Sequence, residues 1–281
     1  MAVTGTTPTL AITSPAADAS IHGDSILVTG TILAPINTGV TVNGMVANVD
    51  NGKFYANNVP LQPGANTLTV TYTTADGTTA TQTRSVNSTG TNPIQVTANE
   101  YMGAAPMQVS LSVASQTGNP ILSINVAPGG TASIDSITGS GSNASVNLTY
   151  PGPGTYLANV TVTDALGSHS QAVAITVWDP AQRDTLFNTV WSGMNNALIA
   201  GDKAKALTYL NTTAQTKYGP AVNALLPSMP LIIASYSPLQ RFQIYPNIGE
   251  YAINRVIHGV NRIYLIYFLL DNDGVWRIDS M

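Results

Sequence analysis

The sequence predicts a multidomain protein in which two all-β sandwiches precede a domain of mixed α+β structure. Three observations support this. The chain has 281 residues, more than one hydrophobic core usually holds. Up to about residue 178 it shows short alternating strands separated by turn residues. Helical periodicity first appears after Asp179 and Pro180.

Charge changes character at the same place. Only 9% of the residues are charged, well below the roughly 25% of ordinary domains. Before Trp178 two basic side chains, Lys53 and Arg84, stand against seven acidic ones, and beyond it eight basic stand against seven acidic. Such a step indicates a domain boundary. Because basic residues never cluster, nucleic acid is excluded as an expected partner.

Turn residues divide the first part of the chain. Asn43-Gly44 is expected to close a hairpin, since both residues accept the positive φ of a type I′ turn. Asp76-Gly77 predicts a second turn, and the polar segment 87–93 reads as a linker. The segments ITSPAADASIHGDSILVTGTI and VPLQPGANTLTVTYTTADGTTAT resemble bacterial immunoglobulin-like domains, which implies an immunoglobulin-like sandwich over about residues 8–88.

A second signature follows. APMQVSLSV and YPGPGTYLANVTVTDALG resemble the polycystic kidney disease (PKD) type of immunoglobulin-like repeat, over about residues 93–178. Tyr156, Ala158, Val160 and Val162 alternate along one strand and are expected to face the core. The acidic turn of that family is replaced by a segment ending in Pro128-Gly-Gly130, so no structural calcium is expected.

The last part begins with helices. Asp179 and Asp202 are expected to cap the first two, and 220–226 suggests a third. Strands are predicted at 239–245, 251–258, 262–270 and 275–281, with a turn at Asp273-Gly274. The ending YLIYFLLDNDGVWRIDSM is similar to the cone-shaped fold of nuclear-transport-factor-like and ketosteroid-isomerase-like proteins. The predicted boundaries are a leader or linker at 1–7, sandwiches at 8–88 and 89–179, and the α+β cone-like domain at 180–281.

The resemblance to the cone fold implies that a pocket would lie in its mouth, where enzymes on this fold place ionisable groups. Arg241, Tyr245, Glu250 and His258 are the candidate pocket or ligand-binding residues. None belongs to a catalytic motif, and a solvated sheet face explains them more simply. We also expect the interior to be filled by the domain's own side chains, among them Phe242, Ile263 and Leu265.

No cofactor or metal site is expected. The chain has no cysteine, its three histidines are isolated, and Asp271-Asn-Asp273-Gly274 is too short for a calcium loop. No signal peptide is recognised before Thr6, and the apolar run 263–270 is too short to cross a bilayer. The scarcity of lysine leaves sandwich edges poorly guarded, which predicts self-association through edge strands.

The composition and resemblances favour a non-catalytic structural or adhesive part of an exported bacterial surface protein, secreted or at the cell surface. The sandwiches would form a stalk, and the last domain would bind a protein or glycan partner there. Two alternatives stay open. The sandwiches are a carbohydrate-binding accessory region of a polysaccharide-acting enzyme, with Phe54, Tyr55, Tyr72 and Tyr101 as the available rings, or the cone domain is a small-molecule enzyme or binding protein.

Overall fold

The computed structural model describes residues 8–281, and the predicted leader or linker at 1–7 lies outside the described residues. The chain divides into two compact units. The first contains residues up to Ala34, Val40–Thr71 and Thr81–Asp179. The second contains Pro180–Met281 together with two earlier loops, Pro35–Gly39 and Tyr72–Ala80.

Nine strands form the first sandwich. They are β1 (Thr9–Ser14), β2 (Ala19–Ile21), β3 (Ser25–Leu33), β4 (Gly39–Val42), β5 (Met45–Val46), β6 (Asn48–Asp50), β7 (Lys53–Pro60), β8 (Gly64–Thr73) and β9 (Thr79–Ser88). One sheet has the order β1-β3-β7-β6 and the other β2-β9-β8-β4-β5. Both residues of the predicted Asn43-Gly44 turn have positive φ, 49° and 82°, which confirms the type of turn expected there.

Eight strands form the second sandwich. They are β10 (Ile94–Ala98), β11 (Met102–Ala104), β12 (Met107–Ser115), β13 (Ser123–Ala127), β14 (Ser133–Ser140), β15 (Asn143–Tyr150), β16 (Gly154–Asp164) and β17 (Gly167–Trp178). The sheets have the orders β10-β12-β15-β14 and β11-β17-β16-β13. Ala158, Val160 and Val162 are fully buried and Tyr156 packs partly buried against them, as their alternation predicts.

Helices open the last part of the chain. They are α1 (Pro180–Ile199), α2 (Lys203–Thr208), α3 (Thr212–Leu225), a single 3-10 turn (Leu226–Ser228) and α4 (Met229–Ala234). Asp202 caps α2 as expected, since its carboxylate accepts the backbone N–H of Lys205 at 3.0 Å. The third helix begins eight residues before the predicted start. Asn211 caps it by accepting the N–H of Ala214 at 2.9 Å, and Pro220 lies inside it.

An antiparallel sheet follows, with the order β18 (Gln240–Ile244), β19 (Ile248–Ile257), β20 (Val260–Leu270) and β21 (Trp276–Ser280). The α+β order is therefore as predicted, while the resemblance to the cone fold stays a prediction. None of the helices in residues 8–281 combines the length and apolar character that crossing a membrane requires.

The predicted inward face of this sheet is wrong at three positions. Phe242, Ile263 and Leu265 are 67%, 64% and 46% exposed, whereas Ile266 and Phe268 are buried. The run 263–270 is apolar at every position, so its pattern does not identify the buried side. The pairing of Tyr251 with Ile266 decides it, and Phe242 lies at an irregularity in the β18–β19 ladder.

Candidate functional site

The predicted pocket residues of β18 and β19 lie on opposite sides of the sheet. Arg241 stands opposite Tyr251 in the ladder, and its Nη1 lies 3.0 Å from Oδ2 of Asp184 on α1. It therefore faces the helices. Glu250 precedes Tyr251 in the same strand, so its side chain points to the other face. Sequence spacing alone had allowed both to line one pocket.

The other two predicted residues lie at opposite ends of β19. Tyr245 belongs to the turn before this strand, where its N–H donates to the carbonyl of Ile248. His258 follows the last residue of the strand with a positive φ of 51°, at the hairpin turn with Gly259. A ten-residue strand is about 30 Å long. The structure thus does not bring the four candidates together.

A buried tyrosine joins α1 to the sheet. The hydroxyl of Tyr251 donates to Oδ1 of Asp184 at 2.6 Å, and the rings of Phe187 and Phe268 pack against it at 5.3 and 5.5 Å. Burial, and then the bond to Asp184, raise the pKa of Tyr251, so the phenol stays protonated at neutral pH. Arg241 contacts the other carboxylate oxygen of Asp184. Tyr251, Asp184 and Arg241 thus connect α1 to the sheet, which is a structural role.

A polar cleft of about 530 Å³ lies elsewhere in the second unit. Carboxylates, hydroxyls and amides line most of it, from the loop around Asp76, the start of α3 and the β20–β21 turn: Ala75, Asp76, Gly77, Thr208, Leu210, Asn211, Thr212, Thr213, Gln215, Asp271, Asn272, Asp273 and Arg277. No three metal-ligating side chains converge anywhere in residues 8–281. The chemistry of this lining suits a polar, uncharged or cationic ligand.

Arg277 organises the acidic side of the cleft. Its guanidinium lies 2.7 Å from Asp271 and 2.8 Å from Asp273, with a second bond to Asp273 at 3.0 Å. Burial raises the pKa of Asp271, and Arg277 opposes that rise only in part. Because the guanidinium is shared between two carboxylates, the turn predicted at Asp273-Gly274 is held in one conformation.

An asparagine clamps one of the earlier loops of the second unit to β21. Asn37 Nδ2 donates to the carbonyl of Trp276 and its Oδ1 accepts the N–H of Trp276, both at 2.9 Å. Gly39 lies so close to the β20–β21 turn that a Cβ there would stand 2.1 Å from the carbonyl oxygen of Asp273. This contact could not be predicted from the sequence, because an isolated Asn and Gly are typical of ordinary loops.

The two sandwiches of the first unit meet through side-chain amides. Asn57 donates to the carbonyl of Ala174 at 2.9 Å and accepts its N–H at 2.8 Å. Asn58 accepts from the amide of Gln171 at 2.9 Å, and Gln171 in turn accepts the N–H of Val96 at 2.8 Å. We call the contact made by Asn48, Asp50, Asn57, Asn58, Tyr101, Thr155, Gln171 and Ala174 the intermodule interface.

Further bonds complete this interface. Asn58 donates to the hydroxyl of Tyr101 at 3.0 Å, and Asn48 donates to the carbonyl of the same residue at 3.1 Å. The hydroxyl of Thr155 donates to Asp50 at 3.0 Å. The sandwiches are therefore joined by directional hydrogen bonds at several separate points, which restricts bending and rotation between them.

The local backbone explains why Asn57 and Asn58 point out of their own module. The β3–β7 register shifts there, so that two residues of β7 oppose one residue of β3. This is a β-bulge, and bulges re-aim side chains. Asn58 has a positive φ of 51°, a conformation that Asn tolerates better than most residues.

None of the four rings proposed for glycan binding stands free on the surface. Phe54 and Tyr72 are buried, Tyr55 is partly buried, and Tyr101 is partly buried in the intermodule interface. A flat ring platform of the kind that binds sugars would need exposed aromatic faces. These four rings therefore form no exposed platform of that kind.

Two family models match the sandwiches. Residues 8–90 match glucodextranase, domain B, and residues 93–177 match the PKD domain. Both modules are immunoglobulin-like. The second is PKD-like. Neither match extends beyond residue 177. No curated protein matches the sequence.

Several solved structures share a distant likeness. Titin domains z1z2 in complex with telethonin have 15% identity and a TM-score of 0.23, covering 63% of this chain and 99% of that one. Domains 5–6 of the S-layer protein SbsC have 15% identity and a TM-score of 0.28, covering 62% and 100%. Bacteroides ovatus SGBP-B in complex with mixed-linkage heptasaccharide has 17% identity and a TM-score of 0.23, covering 61% and 48%. Scores this low carry no argument about function.

Proposed function

We propose that the chain is a non-catalytic structural part of an exported bacterial surface protein. In this proposal the two sandwiches act as a stiff stalk, and the α+β part acts as an interaction module for a protein or glycan partner. The intermodule interface is the observation that supports it. Flexible tethers between domains need no directional bonds, whereas Asn57 alone makes two to the backbone of the neighbouring module.

The arrangement of ionisable groups supports a non-catalytic role. The four candidate residues are scattered over two faces and both ends of β19. Tyr251, Asp184 and Arg241 are already paired with one another. A catalytic acid or base needs a free position within hydrogen-bond reach of a substrate. These groups are used in joining α1 to the sheet.

Stiffness can be measured directly, because the chain has no native cysteine. Spin labels on Thr83→Cys and Ser123→Cys would report one distance between two exposed strands of the two sandwiches. Pulsed electron paramagnetic resonance should give a single narrow distance distribution, which broadens in the Asn57→Ala/Gln171→Ala double variant. A broad distribution in the otherwise unchanged chain would contradict the stalk.

Surface location requires a separate experiment. An antibody raised against the chain should label intact cells of the source bacterium without permeabilisation. Labelling that appears only after the cells are opened would refute the surface role while leaving the stiffness result untouched.

Glycan binding is a second candidate, and the polar cleft is the observation that favours it. Its hydroxyl and amide groups can exchange hydrogen bonds with a polyhydroxylated ligand. A glycan array probed with the intact chain would test this. Thr213→Arg, which places a long side chain in the cleft, should abolish any signal, whereas Thr216→Arg, one turn along α3 and outside the lining, should retain it.

A further inference from the structure

Strand β14 forms one edge of its sheet. It is hydrogen-bonded to β15 on one side, and no other strand of residues 8–281 pairs with its second side. All eight of its residues are exposed. An edge strand presents a row of free N–H and C=O groups, which is a template for another strand.

This edge is unusual for its length. The other nine edge strands in residues 8–281 contain two to six residues each, and β14 contains eight. Short edges are one of the ways in which proteins prevent strand addition. Among the outermost strands of the sheets in residues 8–281, β14 is the one that lacks this protection.

Two isoleucines add exposed apolar surface to this edge. Ile134 pairs with Leu148 and Ile137 with Val146, and both partners are fully buried core residues. Because directly opposed residues share a face, Ile134 and Ile137 point to the core side of the sheet. They nevertheless remain 42% and 43% exposed. The hydrophobic core of this module is therefore partly exposed to solvent at β14, and one additional strand would bury the two isoleucines.

Charged side chains do not protect this edge against strand addition either. Its only charged residue, Asp135, lies at the bulge between Ile134 and Ser136. The carboxylate accepts the hydroxyls of Thr149 at 2.6 Å and Ser133 at 3.2 Å, both within its own module. The two cationic residues of the sandwiches, Lys53 and Arg84, belong to β7 and β9.

We propose that β14 pairs antiparallel with β14 of a second copy of this chain. The register that fits places Ile134 of each copy opposite Ile137 of the other. A second copy suits this edge because each strand has the same two residues, Asp135 and Ser136, between its isoleucines, so the bulge of one copy leaves no residue of the other unmatched. Two-fold symmetry then covers all four isoleucines at once.

The contact is small, which determines its strength. Eight residues from each copy fall short of the 20–30 per side of a standard interface, so the dimer is weak in dilute solution. Many copies held on one surface raise the effective concentration, so that even a weak dimer of this kind forms. This last step rests on the proposed surface role, whereas the pairing itself does not.

Sedimentation velocity of the full chain should show a monomer–dimer equilibrium, with a dissociation constant between about 1 μM and 1 mM. Ile137→Lys should weaken it at least about tenfold, because a charge would enter the paired edge. Leu157→Lys is the matched control, since Leu157 is similarly exposed but lies on β16, in the other sheet of the same module. Thermal melts of both variants verify that they fold.

Register is tested with cysteine pairs, since the chain has none of its own. Mixed Ile134→Cys and Ile137→Cys chains should form a disulfide-linked dimer under mild oxidation, at least about tenfold faster than either variant alone. A chain that stays monomeric up to about 1 mM overturns the proposal, as does a dimer that survives Ile137→Lys. Neither result affects the two tests of the proposed function, which are the distance distribution between the spin labels and the antibody labelling of intact cells.

Discussion

Asn57 pairs with Ala174 as a neighbouring strand residue would, using its side-chain amide for both hydrogen bonds. Ala174 is fully buried, so its peptide group has no water to replace a lost partner. Asn57→Ala should therefore lower the free energy of unfolding by about 1–3 kcal/mol. Calorimetry of the full chain should show the unfolding transition of the sandwiches separate into two.

The control for this variant is Asn125→Ala. Asn125 is an exposed asparagine on β13 of the second sandwich and lies outside the intermodule interface. Its replacement should leave the transition unchanged. Equal effects of the two variants would show that the interface does not couple the sandwiches.

Gly39→Ala tests the loop that Asn37 clamps to β21. The new Cβ would stand 2.1 Å from the carbonyl oxygen of Asp273 and 2.3 Å from the carbonyl carbon of Gly274. Both contacts are with backbone, so the loop must shift, at a cost of about 1–3 kcal/mol. Urea unfolding followed by tryptophan fluorescence measures it, because Trp276 lies beside the clamp. Gly152→Ala, with nothing within 4 Å, should be neutral.

Acid should destabilise the second sandwich through Asp164, a buried residue at the β16–β17 hairpin. The hydroxyl of Thr117, at 2.5 Å, is the main cause that holds the pKa of Asp164 below its usual value. A folded-state pKa below the unfolded one, about 3.9, gives stability that is complete above that pH and is lost as the pH falls through the folded pKa.

Urea unfolding between about pH 2 and pH 6 reveals this loss. Asp164→Asn should remove the acid-dependent part. Thr117→Val should raise the pKa of Asp164 towards its unfolded value, so the loss of stability in acid becomes smaller. An unchanged pH profile in both variants would mean that other groups cause the acid sensitivity.

Arg277→Met should destabilise the β20–β21 turn at neutral pH. It leaves Asp271 and Asp273 next to each other without the guanidinium that both contact. Because these groups are partly exposed, the expected cost is only about 1–2 kcal/mol. The pKa of Asp271, already raised by burial, should rise further, so protonation relieves the repulsion and the difference from the parent chain shrinks as pH falls. Equal losses at pH 7 and pH 4 would contradict this explanation.

Local signals were sufficient for the Asn43-Gly44 turn and for the cap at Asp202. Asn43-Gly44 and Asp202 act through bonds and dihedral angles within a few residues, so the sequence contains all the necessary information. The start of α3 was missed because Asn211 lies in a Thr-rich segment whose Gly219-Pro220 reads as a loop. Packing of Ala214 and Val222 in the core compensates for the weak helix propensity of that segment.

Contacts between distant segments could not be predicted in the same way. Nothing near Asn57 indicates that Ala174, more than a hundred residues later, will accept its amide. One signal was present: Asn57-Asn58 interrupts a strand where alternation would place an apolar side chain. Adjacent amides within a strand suggest a bulge with a polar partner, although they do not identify it. The exposure of Ile134 and Ile137 likewise depends on which strand stands at the edge, a property of topology and not of pattern.

The intermodule interface also determines how the pair of sandwiches responds to the surrounding salt. Apart from the carboxylate of Asp50, its hydrogen bonds join neutral amides, carbonyls and hydroxyls. Dissolved salt screens attraction between charges but has little effect on bonds between neutral groups. The angle between the two sandwiches should therefore be the same in fresh water and in brine, as the proposed surface role would require.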